Sequence, residues 1–177
     1  MVDVPLLRAS ASEHNFQVLF LGDAVDRGPN PSGCYEVLEN VKAIRLLGNH
    51  EWLNLLGVDE KDDPSTPHIQ EDLFKPYVSA EDLAFFGGWK QRKEAFGRTG
   101  ILGKPIRETF QLVQLLPNPW GKHGELPPLQ AAATLFLHAG ITSSLALEYR
   151  SAADMNAEGR AALERSIHGD DSGLHSK

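Results

Sequence analysis

Three short apolar runs, each broken off by a polar cluster, constrain this chain more than any other feature. Val18-Leu19-Phe20-Leu21 stops at Gly22-Asp23-Ala24-Val25-Asp26-Arg27-Gly28. Ala43-Ile44-Arg45-Leu46-Leu47 stops at Gly48-Asn49-His50-Glu51, and Thr134-Leu135-Phe136-Leu137 at His138-Ala139-Gly140. Runs this short read as buried strands of a mostly parallel sheet, because a strand covered on both faces shows no polar alternation. In open α/β sheets, ligands bind in the crevice at the carboxyl ends of the strands. Three such strands would deliver Asp23, Asn49 and His138 to one edge, with Asp26, Arg27 and His50 close by. Oxygen and nitrogen donors gathered with an arginine suggest metal-assisted phosphate chemistry.

A chain of 177 residues is sized for one domain with a substantial core. Its net charge of −7 argues against broad, non-specific nucleic-acid binding, which needs a basic face. A phosphate substrate stays compatible with that charge, because bound cations reverse the local field. Cys34 is the single cysteine, so an intrachain disulfide is impossible. No stretch has the length and apolarity of a transmembrane helix, and Met1 to Asn15 lacks the apolar region of a signal peptide. The expectation is a cytoplasmic protein with neither membrane nor nucleic acid as partner.

Between the runs, Pro31 opens a predicted helix to about Lys42, with Tyr35, Leu38 and Val41 along one face and Cys34 in the core. The second run leads into a short apolar helix from Trp52 to Leu56. Strand, helix and strand form a βαβ unit with the usual right-handed crossover. Residues 57–80 read mainly as loop. Leu83 to Phe96 reads as helix broken at Gly87-Gly88, followed by a turn at Gly97 to Gly100. A surface loop precedes the third run, and Ser143 to Ser166 reads as helix split around Asn156 to Gly159.

Gly22-Asp23-Ala24-Val25-Asp26-Arg27-Gly28 followed by Gly48-Asn49-His50-Glu51 resembles the calcineurin-like metallophosphoesterase superfamily. With Arg27, it resembles the phosphoprotein phosphatase branch and its relatives, the Shewanella-like phosphatases and diadenosine tetraphosphate hydrolases. Glu51-Trp52-Leu53-Asn54 and Phe136-Leu137-His138-Ala139-Gly140-Ile141 resemble the Shewanella-like subgroup. The match is strong over residues 16–56 and 132–142. The resemblance implies one calcineurin-like phosphoesterase domain over residues 1–177, an α/β sandwich of mostly parallel strands flanked by helices. It implies Asp23 as the carboxylate bridging two metal ions, with Asn49 and His138 completing the second site. Mn²⁺ is the expected ion, with Fe or Zn as alternatives. His50 becomes the general acid, Asp26 its orienting partner, and Arg27 the phosphate clamp. Glu51 is read as a helix cap or as support behind the metal ligands, and Arg92 and Arg98 as loosely near the pocket.

The family pattern also asks for an Asp-x-His motif before Gly22 and a further histidine beyond His138, and this sequence contains neither in a convincing place. His14, His168 and His175 are poor stand-ins. The expectation is therefore a domain truncated at both ends, lacking the first strand and the C-terminal part. It would hold at most one weak metal site and leave an unpaired apolar sheet edge. Three functions stay open: a phosphomonoesterase acting on phosphoproteins or small phosphoesters, a defective fragment or isoform acting only in binding, or a diadenosine polyphosphate hydrolase.

Overall fold

The computed structural model describes residues 17–59, 75–117 and 133–167. The readings for Met1 to Asn15, for the loops within 60–74 and 118–132, and for the tail from His168 lie outside these residues. So do His14, His68, His123 and His175.

The first run forms strand β1, Leu19–Phe20, paired in parallel with β2, Ile44–Arg45, through Leu19↔Ile44 and Phe20↔Arg45. Between them runs helix α1, Pro31–Asn40, so the βαβ unit is present. Its start has two local causes. Pro31 supplies a preset φ at the first turn, and the Asn30 side chain accepts from the Gly33 N–H at 2.8 Å. Its buried face is Pro31, Tyr35 and Leu38. Cys34 lies one residue off that stripe and is exposed, which corrects its expected place in the core.

Helix α2, Asn49–Asp59, begins on the second motif itself and is longer than the segment from Trp52 to Leu56. Helices α3 (Ala80–Phe86) and α4 (Trp89–Phe96) are separated at Gly87-Gly88, both at positive φ, as the sequence suggested. Ser79 caps α3 by accepting from the Asp82 N–H at 3.0 Å. After the turn at 97–100 comes α5, Gly103–Thr109, which the sequence reading left unassigned. Leu46 then forms a parallel bridge with Gln111, which leads into β3, Val113–Pro117.

The third run forms β4, Ala133–Leu137. It pairs antiparallel with β3, from Val113↔Leu137 to Pro117↔Ala133, so it is not a further parallel strand beside the first two. Nor is it fully buried: Leu135 and its cross-strand partner Leu115 are both exposed. The physical reason is β3 itself, an unread neighbour that takes the ladder position a parallel strand would have filled.

The expected helix from Ser143 to Ser166 divides into α6, Ser143–Glu148, and α7, Ala152–Ile167. The break falls at 149–151 rather than at Asn156 to Gly159. Ser151 restarts the helix by accepting from the Asp154 N–H at 3.1 Å. The helix then runs unbroken through Asn156 and Gly159. The architecture is α/β, and its core gathers around Tyr35, Leu55, Phe96, Ile106 and Phe110. Tyr35 and Phe110 meet at 5.6 Å between ring centroids.

Candidate metal and phosphate site

Asp23, Asn49 and His138 come from three different segments and meet. The His138 Nε2 atom lies 3.0 Å from Asn49 Oδ1 and 3.4 Å from Asp23 Oδ2. Its Nδ1 stands 2.7 Å from the Leu21 carbonyl oxygen, which can only accept, so this nitrogen carries the proton. The ring's Nε2 is thereby turned toward the side-chain oxygens of Asn49 and Asp23. A carboxylate oxygen and an amide oxygen thus converge within 3.4 Å of one imidazole nitrogen. Donors bound to one octahedral cation at about 2.1 Å are roughly 3 Å apart, close to the spacings seen here. The backbone carbonyl behind His138 is the kind of support that fixes ring orientation in metal sites. A divalent cation thus fits, held by one carboxylate, one amide oxygen and one imidazole. Among the described residues, no three His, Cys, Asp or Glu side chains form a metal-ion group, so the set reaches three only through Asn49.

Backbone geometry aims these groups. Gly22, Asp23 and Asp26 all have positive φ, at 101°, 65° and 79°. Aspartate tolerates that region better than most residues, though at some cost. A Cβ on Gly22 would lie 2.6 Å from Gly48 N, and one on Gly48 would lie 2.2 Å from Asp23 Oδ1. Only glycine at both places lets the two loops touch. Glu51, fully buried, fastens them. Its carboxylate accepts from the N–H groups of Asp23 (2.8 Å), Ala24 (2.7 Å) and Gly48 (2.9 Å), and from the Tyr35 hydroxyl (3.3 Å). The bond to Gly48 caps α2, as one sequence reading of Glu51 had it, and the other two N–H bonds hold the loop that carries Asp23. Burial and the adjacent Glu51 carboxylate push the Tyr35 phenol well above its ordinary pKa. Asp23 Oδ1 also accepts from the His50 N–H at 3.1 Å, placing a carboxylate at the positive end of α2.

Asp26 and His50 pair as the resemblance implied, with His50 Nδ1 2.7 Å from Asp26 Oδ2. An ionised carboxylate only accepts, so Nδ1 carries the proton and Nε2 is left for a ligand. Asp26 is completely buried and needs more than one partner. The Asn54 amide donates to both its oxygens at 3.0 Å and to the His50 carbonyl at 2.8 Å. Arg92, on α4, completes the set: it donates to Asp26 Oδ1 and to Asn54 Oδ1, and its Nε donates to Asp82 Oδ2 at 2.6 Å. Its guanidinium also sits 5.0 Å from the centre of the Phe96 ring. Burial pushes the Asp82 carboxyl up from its ordinary value, against the opposing pull of Arg92. Arg92 was placed only loosely by sequence, and Asn54 and Asp82 were given no role. The Arg92 guanidinium faces the rings of Phe86, at the end of α3, and of Trp89 and Phe96 on α4.

Arg27 is exposed, with its guanidinium carbon 5.9 Å from the centre of the Tyr77 ring. That ring also meets His50 edge to face, at 5.3 Å and 80°. Tyr77 was not read from sequence. Arg98 stands exposed in the turn after α4. A largely apolar cavity of about 270 Å³ opens against Asn49 and His138, walled by Trp52, Leu137, Ile141 and Met155. No helix among the described residues is long and apolar enough to cross a membrane.

Neither the curated proteins nor the solved structures include a match to this chain. A family model does match it, described as calcineurin-like phosphoesterase, over residues 5–159. That span includes Asp23, Asp26, Arg27, Asn49, His50 and His138, and the chain belongs to the calcineurin-like phosphoesterase family.

Proposed function

We propose that this chain is a divalent-metal-dependent phosphomonoesterase of the phosphoprotein phosphatase branch, akin to the Shewanella-like enzymes, with phosphorylated Ser, Thr or Tyr side chains as substrates. The observation that carries the reading is the convergence of Asp23, Asn49 and His138 beside the Asp26–His50 pair. Those three residues would hold the ion, with Mn²⁺ suited to an oxygen-rich set. When bound, the ion supplies Lewis-acid activation of water and of the phosphoryl group. The chain's own residues do the rest. Arg27, exposed and planar, binds two phosphoryl oxygens. Asp26 holds the His50 ring so that Nε2 can pass a proton to the leaving oxygen. The cavity beside Asn49 leaves room for the organic part of an ester.

With Mn²⁺ and p-nitrophenyl phosphate, turnover is expected to be low, and His50→Asn should reduce it at least about a hundredfold. Among the described residues the donor set is also small for a two-ion clamp, which favours a second reading: a phosphate-binding domain without turnover. Titration calorimetry separates the two. One bound Mn²⁺ per chain with His50-dependent turnover supports the enzyme; phosphate binding by a chain without turnover supports the binding domain. Two tightly bound ions would contradict the small donor set.

A further inference from the structure

We propose that Tyr77 is a positioning residue of this site, its ring setting the spacing between the clamp Arg27 and the proton donor His50. What those two groups do rests on the phosphoesterase reading; the contact itself does not. Arg27 comes from the loop after β1, His50 from the start of α2, and Tyr77 from a 3₁₀ turn at Lys75–Tyr77. The Ser79 N–H donates to the Asp26 carbonyl at 3.0 Å, so the chain just after the turn is fastened to the loop that carries Arg27.

Each group has a freedom that the ring removes. The bond from Nδ1 to Asp26 holds one point of the imidazole but leaves it free to rock about that axis. The edge-to-face contact at 5.3 Å limits the rocking. Arg27 is long and exposed, and the aromatic face 5.9 Å from its guanidinium narrows the positions it visits. Tyr77 is 46% exposed, so core packing does not account for an aromatic residue here.

The test compares Tyr77→Ala and Tyr77→Phe in the full chain. Side-chain NMR of Arg27 Nε–H and His50 Cε1–H needs no activity. Tyr77→Ala should shift the His50 signal and raise the mobility of Arg27, while Tyr77→Phe should leave both near wild type. With Mn²⁺ and p-nitrophenyl phosphate, Tyr77→Ala should raise KM and lower kcat by roughly two- to fivefold each, with Tyr77→Phe restoring both. In an Arg27→Ala background, Tyr77→Ala should no longer change KM. Additive effects on KM, unchanged NMR signals, or a Phe variant as damaged as Ala would overturn the proposal. If the NMR changes occur but wild type turns nothing over, the phosphoesterase reading fails and the positioning contact stands.

Discussion

Asp26, Asp82 and Arg92 illustrate how much of a site can rest on residues that never meet a ligand. Two buried carboxylates share one guanidinium, and Asp82 Oδ1 has no hydrogen-bond partner among the described residues. Because burial raises the folded pKa of Asp82, its contribution to stability is complete below the ordinary carboxylate pKa. That contribution is lost as pH rises through the higher folded value. Urea denaturation of Asp82→Asn should therefore show a stability deficit that shrinks from pH 4 toward pH 7. A deficit that grows with pH would mean the Arg92 ion pair outweighs burial. Asp23, Asn49 and His138 each follow an apolar run, which marks them in sequence, although the run before His138 is antiparallel rather than parallel. Arg92 was not legible, because its partner Asp26 lies 66 positions away and only tertiary packing joins them.

Helix α7 and strand β3 show the same limit between elements. Asn156 Oδ1 accepts from the N–H groups of Leu112 and Val113 at 2.8 and 3.0 Å, while its amide donates to the Val113 carbonyl at 2.9 Å. A Cβ on Gly159 would fall 2.2 Å from Leu112 Cδ1, so the helix approaches the strand closely there. In sequence, Asn and Gly together look like a helix break. In the fold they are the face by which the helix docks. Asn156→Ala should cost about 2–3 kcal/mol by stranding two backbone donors. Thermal melting should register a drop of roughly 5–10 °C. Helices α1 and α4 were legible through a proline start and a glycine pair. The β3 strand escaped because Val113 to Pro117 is short, carries Gln114 and is not bounded by glycine.

Across the whole molecule, the donor cluster joins the end of β1, the start of α2 and the end of β4, so a bound ion would staple distant parts of the chain. Mn²⁺ at about a hundred times its Kd should stabilise the fold by about 2.7 kcal/mol, seen as a higher Tm that chelation reverses. His138→Ala should abolish that shift; an unchanged shift would place the ion elsewhere. The class of fold and the meeting of three motifs were legible at this scale, whereas the antiparallel β3–β4 pair was not. One consequence follows from the guanidinium buried between α4 and Asp26. The two motifs around Asp23 and Asn49 are not a portable cassette. Transplanted into another sheet without α3 and α4, they would carry a histidine partner with a bare, dry negative charge, and the recipient would have to invent a substitute for Arg92 before the loops could hold their shape.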